Sequence, residues 1–192
     1  MHGQDLTLRV PLRFFTEAEA LLVAAAAARI FPSDETGPGA SEAGVVIYID
    51  RQLGSAYGRD GFRFTGEPFA DGVPEQGYQG KATPREIYKE GLAMLAGFDK
   101  LPVANQDERL KQIQSTRFFT LLRQHTIEGM FCDPMHGGNA DKIGWQLIGF
   151  PGPRMSYFAE VDAYHGRAFR PKPESLSEIL GRPVRPLEED PA

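Results

Sequence analysis

The sequence predicts a mainly α-helical protein, an irregular helical domain with long, ordered loops rich in Gly and Pro. Two capping boxes mark helix starts, one at Thr16 with Glu19 and one at Thr83 with Glu86. Apolar residues recur at helical spacing after each of these starts. The one segment that resembles a strand, residues 45–49, has no second strand candidate of similar strength with which to pair.

Two parts of the chain are distinguished by composition. We expect a single helical domain over residues 1–170, and a Pro-rich, acidic tail over residues 171–192 that either wraps the domain or is disordered. Within the domain, residues 58–81 and 132–153 are rich in Gly, Pro and aromatic residues. Loops this long in a compact domain usually carry function or dock a partner.

Five helices are expected along the domain. The first stops before Pro32, because proline cannot continue a helix. The second contains a β-branched run that is equally compatible with a buried strand, although the missing strand partner favours a helix. The third opens with Pro84 at its first helical position. The predicted spans are residues 16–30, 42–56, 83–97, 105–113 and 116–131.

Composition excludes several classes of protein. The 192 residues carry a net charge of -5, which argues against binding to nucleic acid or to an anionic membrane surface. The longest apolar run, Leu21 to Ala28, is far shorter than the roughly 20 residues that a membrane span needs. Residues 1–5 are polar and show no secretory or twin-arginine signal, so both a cytoplasmic location and export with a partner stay open.

The sequence contains none of the common motifs for binding a cofactor or for catalysis. There is no G-x-S-x-G elbow, no P-loop and no dinucleotide loop. The single cysteine, Cys132, excludes an internal disulfide and a C-x-x-C-H haem site, and argues against an iron–sulfur cluster. Cys132 is therefore read as a small buried residue or as a thiol that pairs with another chain, and a nucleophilic pair with His136 is only a formal option.

The densest group of polar side chains lies at the end of the fifth predicted helix and just beyond it. His125 and Glu128 are three residues apart on one helical face, and Asp133 and His136 follow. One interpretation is a metal site formed by these four residues, with His165 as a further ligand, since iron and zinc accept this donor set. The other is that His125 and Glu128 are hydrogen-bonded inside the domain and fix how the next loop leaves the helix.

The loop that follows is predicted to hold one shape. Asp133 precedes a proline and accepts backbone N–H groups in turns, while Gly137, Gly138 and Asn139 tolerate a positive φ angle. Downstream, Trp145 and Phe150 lie among glycines and prolines. Aromatic residues on such a frame either anchor a partner at an interface or fill the protein's own core, and the two interpretations stay open.

Two stretches of the sequence resemble the gluconate 2-dehydrogenase subunit 3 family. The more specific stretch runs from Phe118 to Gly152, through the helix that holds His125 and the loop that holds Asn139. The other is the segment from Phe15 to Ala40, with its Ile30-Phe31-Pro32-Ser33-Asp34 run. The chain departs from the family pattern in lacking a twin-arginine signal and in having Cys132 where a small residue such as Ser is expected.

The resemblance implies a partner that does the chemistry. Such a subunit works beside a large flavoprotein of the glucose–methanol–choline type that holds FAD, and a cytochrome c subunit with haem c often takes the electrons. The small subunit has no known catalytic residue and is thought to help the large one fold, reach the periplasm or assemble. The implied location is periplasmic, with membrane contact only through the complex.

We therefore predict a non-catalytic small subunit of a membrane-associated, FAD-dependent dehydrogenase complex, with no cofactor, no metal and no active site of its own. The alternative is a stand-alone, non-haem metal enzyme that uses the four residues named above. Under the first hypothesis, the candidates for partner binding or loop shaping are His125, Glu128, Asp133, Gly137, Gly138, Asn139, Trp145 and Phe150.

Overall fold

A computed structural model describes residues 11–61, 63, 66–70 and 72–181. Within these ranges the protein is mainly helical, as the sequence predicts. The helices are α1 (Glu17–Ile30), α2 (Val45–Gly54), α3 (Pro84–Met94), α4 (Val103–Ile113), α5 (Arg117–Phe131), α6 (Ile143–Ile148), α7 (Phe158–Ala163) and α8 (Leu176–Ile179). None of the described helices combines the length and the hydropathy that crossing a bilayer requires.

The local start signals are confirmed. Thr16 and Thr83 cap α1 and α3, and in each capping box the glutamate side chain returns a bond to the cap backbone. The ambiguous segment at 45–49 is helical, but α2 starts at Val45 rather than at residue 42, because Gly44 adopts a left-handed conformation (φ 66°) there. Similarly, α4 starts directly after Pro102.

Helix α5 lies at the centre and packs on α2, α1 and α3. The buried face of α1 is mainly alanine, which allows neighbouring helices to approach closely. Where α3 meets α5, Gly91 faces Phe118 so tightly that a Cβ there would lie 2.1 Å from the ring. The packed helices bury one continuous apolar core.

The entry to α1 is fixed by a buried carboxylate of α2. Asp50 accepts hydrogen bonds from the backbone N–H groups of Arg13 (2.7 Å), Phe14 (3.0 Å) and Phe15 (2.9 Å). A carboxylate that accepts three amide hydrogen bonds is stable in the interior, because these bonds replace the water that it loses on burial. The segment before α1 is thereby held against the core.

Three short helices were not predicted from the sequence. Helices α6, α7 and α8 are four to six residues long, too short for an apolar period to become visible. Helix α8 lies in the segment that was expected to be a tail, and Ser175 and Ser177 there are buried. The division at residue 170 stays a prediction, and residues 182–192 of the expected tail lie outside the described residues.

Candidate functional site

The first candidate residue, His125 of α5, is at the centre of a buried cluster. Its side chain is 1% exposed. The ring nitrogen Nδ1 lies 2.9 Å from the hydroxyl of Tyr88 in α3, and Nε2 lies 2.8 Å from the hydroxyl of Tyr57 in the 3-10 turn after α2. The rings of His125 and Tyr88 are stacked with their centres 5.6 Å apart. Both nitrogens therefore have protein partners.

Electrostatics keep this cluster uncharged near neutral pH. Burial lowers the pKa of His125 to about 4, although the nearby carboxylate of Glu128 acts in the opposite direction. Burial, followed by the same carboxylate, raises the pKa of Tyr57 to about 12. A neutral imidazole has one donor and one acceptor nitrogen, so one tyrosine hydroxyl accepts from the ring and the other donates to it.

Glu128, one turn further along α5, has its own partners. Its Oε2 accepts from the hydroxyl of Tyr48 in α2 (3.0 Å), and its Oε1 accepts from the amide of Gln124 (2.8 Å). Burial and then Glu128 raise the pKa of Tyr48 far above its ordinary value. His125 is thus hydrogen-bonded inside the domain to tyrosines from other elements, as one interpretation of the sequence proposed. Glu128 is half-buried and is hydrogen-bonded to Tyr48 of α2 and to Gln124 of α5 itself.

The structure does not assemble the metal site that the other interpretation proposed. His125 has no free ring nitrogen, and Asp133 uses its carboxylate on backbone amides. His136 and His165 are exposed and lie in separate segments. In the part of the chain that the structure describes, no three His, Cys, Asp or Glu side chains are placed to hold an ion. The geometry offers this alternative no support.

Asp133 connects the loop after α5 to the end of the described chain. Its Oδ1 accepts from the backbone N–H of Met135 (3.1 Å), which closes the turn predicted for this Asp-Pro pair. Its Oδ2 accepts from the backbone N–H of Leu176 (2.7 Å), the first residue of α8. Asp133 thus also serves as an anchor for α8, 43 residues away.

Asn139 organises the middle of the same loop. It is fully buried and left-handed (φ 48°), a conformation that asparagine tolerates better than most residues. Its backbone N–H donates to the carbonyl of Gly129 (2.8 Å), and its amide side chain donates to the carbonyl of Cys132 (2.8 Å) and accepts from the N–H of Gly144 (2.8 Å). One residue thereby joins the end of α5 to the start of α6.

The glycines of the loop are required by close packing. A Cβ at Gly138 would lie 2.3 Å from the carbonyl oxygen of Gly129. At Gly137 the backbone is left-handed (φ 98°), and a Cβ would meet the guanidinium of Arg51 at 2.6 Å. Both positions therefore exclude larger residues, and their contacts shape the loop. A role in partner binding for these glycines stays a prediction.

Trp145 and Phe150 differ in exposure. Trp145 is 3% exposed, and its indole N–H donates to the carbonyl of Phe131 (2.7 Å) at the end of α5. The ring of Phe150 packs edge-on against it at 5.1 Å and is itself 38% exposed. Trp145 therefore fills the protein's own interior, whereas Phe150 remains available at the surface.

Cys132 is half-buried at the end of α5. Burial raises the pKa of its thiol to about 11, so the reactive thiolate is scarce at neutral pH. Its neighbour in the formal nucleophilic pair, His136, is exposed and is the last residue of the 3-10 turn Pro134–His136. The geometry does not favour a nucleophilic role for this pair.

Sequence reasoning missed the tyrosines of this site. Tyr48, Tyr57 and Tyr88 come from three elements, and the hydrogen bonds to His125 span 68 and 37 residues. No local pattern marks such partners. The available signal was weak: a histidine on the apolar face of a long helix requires buried polar partners somewhere in the chain.

The fold and the site define a helical protein whose candidate polar residues are engaged by one another and by backbone groups. Residues 17–152 match the family model of gluconate 2-dehydrogenase subunit 3, and the chain belongs to that family. The matched segment runs from the start of α1 to just past α6, and so includes the His125 cluster and the loop. No curated protein and no solved structure matched the chain.

Proposed function

We propose that this chain is the non-catalytic small subunit of a membrane-associated, FAD-dependent, gluconate-type dehydrogenase complex. Its role is to support the folding, export or assembly of a large flavoprotein subunit of the glucose–methanol–choline type. In such a complex the flavoprotein oxidises the substrate, a cytochrome c subunit accepts the electrons, and the complex faces the periplasm. The family match over residues 17–152 carries this proposal.

The geometry of the site supports a role by shape rather than by chemistry. The two ring nitrogens of His125 are taken up by tyrosines, and the oxygens of Asp133 by amides. A general acid or base needs a group that can reach a substrate proton, and neither of these residues presents one. What the loop does present is a rigid backbone with an aromatic residue, Phe150, at its edge.

Co-expression tests the proposal. The chain is produced with and without a large flavoprotein subunit of the glucose–methanol–choline type, and that large subunit is assayed for solubility, bound FAD and electron transfer to an artificial acceptor. We expect all three to depend on the chain, and the two proteins to co-purify. The chain alone is expected to show no flavin absorbance and no turnover. Turnover by the chain alone, or a large subunit that matures equally well without it, would contradict the proposal.

A further inference from the structure

Residues 153–173, here called the arm, form a projection whose two ends meet. The backbone N–H of Glu174 donates to the carbonyl of Pro151 (3.2 Å), which closes the base of the arm. At Gly152 a Cβ would lie 1.9 Å from the carbonyl oxygen of Glu174, so the incoming and outgoing segments touch. The arm is therefore a surface loop whose two ends lie side by side, an arrangement that is frequent among functional loops.

The base of the arm is attached to the body through α8. The backbone N–H of Leu176 donates to Asp133, and Glu178 forms an ion pair with Lys142 (2.6 Å). The hydrogen bond from Lys142, followed by the one from the backbone N–H of Ser175, lowers the pKa of Glu178 to about 2. The carboxylate of Glu178 thus stays ionised at neutral pH, and the ion pair fixes the position of the segment that follows the arm.

One side of the arm packs on itself. Arg154 pairs with Glu160 (3.2 Å), and its guanidinium lies 5.6 Å from the ring centre of Phe169. The rings of Tyr164 and Phe169 are 4.9 Å apart. These contacts pack one side of the arm together, so that the side chains on its other side remain exposed to solvent.

The other side of the arm is apolar and uncovered. Phe158 and Val161 are three residues apart and lie on one face of α7, and Met155 lies in the non-helical segment just before that helix. Phe158 is 88% and Val161 is 63% exposed. Among the described residues, five of the sixteen exposed large apolar side chains lie in the arm, and five more lie close to its two ends, between residues 148 and 150 and between 176 and 180. Such a concentration marks an interaction surface rather than a random scatter.

The charge of the arm differs in sign from that of the chain. The arm holds four cations and two carboxylates, for a formal charge of +2, whereas the whole chain carries -5. Arg170 and Lys172, next to its end, are exposed. Two arms placed face to face would bring like charges together. A partner surface with an apolar hollow bordered by carboxylates would satisfy both the aromatic face and the charge.

We infer that the arm is the docking element for the catalytic large subunit of the complex, with Phe158 and Val161 inserted into an apolar, acid-bordered hollow of that protein. The inference rests on the proposed function, since it needs a catalytic partner. It goes beyond family membership, because the arm lies outside the segment, residues 17–152, that matches the family. The arm would set which large subunit this chain serves.

Paired variants of the tagged chain, co-expressed with the flavoprotein, test the inference. F158S/V161S removes the apolar face, and R170E/K172E inverts two charges near the C-terminal end of the arm. M94S/V103S is the matched control, because Met94 and Val103 are exposed apolar residues of other helices. We expect both arm variants to weaken the complex at least tenfold in titrations of purified subunits, and the control to bind like the unaltered chain.

Photo-crosslinking keeps the test independent of folding effects. A benzoylphenylalanine at position 155, where the side chain is fully exposed, is expected to crosslink to the large subunit. If the unaltered chain does not bind the flavoprotein, the proposed function itself fails. If the chain binds but both arm variants bind equally well and position 155 does not crosslink, only the docking inference is overturned. Self-association or vesicle binding that depends on Phe158, with partner binding unchanged, would also overturn it.

Discussion

Acidification should destabilise this protein through His125. The imidazole is neutral in the folded protein above a pKa of about 4, because burial penalises its charged form. In the unfolded chain it titrates near its ordinary pKa of about 6.5. Between these two values the unfolded state binds a proton that the folded state excludes. The free energy of unfolding therefore falls as the pH falls through this window.

The magnitude follows from the difference between the two pKa values. At about 1.4 kcal/mol per pKa unit, protonation of His125 lowers the free energy of unfolding by about 3 kcal/mol in total. This loss is nearly absent at pH 7, grows as the pH falls below about 6.5, and no longer increases below about pH 4. Out of a typical total of about 5–15 kcal/mol, this loss is large enough to measure. Glu178, whose pKa is lowered to about 2, loses its own contribution mainly at lower pH.

The assay compares the unaltered chain with H125Q in urea denaturation at several pH values from 7 to 4. Glutamine does not titrate, yet it has donors and an acceptor for the two tyrosine hydroxyls. Carboxylates contribute equally to both proteins, so the difference between the two curves isolates the imidazole. We expect the difference to change by about 3 kcal/mol across the window. Parallel curves would refute the assignment of a buried, neutral His125.

Three further predictions concern the site and its loop. Tyr88→Phe is expected to lower the free energy of unfolding, measured in urea, by about 1–3 kcal/mol, because it leaves a buried imidazole nitrogen unpaired. Tyr57→Phe is expected to cost less, since Tyr57 is half-buried and water can replace its hydroxyl. Equal losses for the two variants would contradict this prediction. Asp133→Ala should speed hydrogen exchange of the Leu176 amide at least tenfold, and unchanged exchange would mean that α8 is held by other contacts. Asn139→Ala should lower the melting temperature by about 5 °C or more, because it removes two side-chain hydrogen bonds and about 2–4 °C is lost per kcal/mol in a domain of this size. An unchanged melting temperature would show that the loop holds its shape without these two bonds.

The sequence predicted the parts of the fold that depend on local signals. The capping boxes at Thr16 and Thr83 are read from residues three apart, and both are present in the structure. The helix at 45–49 followed from the lack of a strand partner. The short helix α6 gave no such signal, because it is fixed by a contact with Asn139 rather than by its own periodicity. Helix α8 does start with a capping box, Ser175 with Glu178, and this signal was missed because the segment was expected to be a tail.

The candidate site was predicted in part. His125, Asp133 and Asn139 were singled out because their types and spacing are unusual, and each is bonded to a partner distant in sequence or at a helix end. The roles were harder to foresee. Whether Trp145 faces a partner or the interior of the protein depends on the path of the loop. That path is determined by the hydrogen bond from Trp145 to the carbonyl of Phe131 and by the close contact between Gly138 and the backbone of Gly129.

The hydrogen bonds of Asn139 and Asp133 connect the loop to the two segments from which the arm projects, so their role extends beyond the stability of the loop. Asn139 ties the end of α5 to α6, and Asp133 ties the same end to α8. Both connections lead to the base at Pro151 and Glu174 from which the arm projects. A docking face on a narrow base keeps its direction only if that base is rigid. Hydrogen bonds supply this rigidity because, unlike apolar contacts, they fix orientation as well as distance.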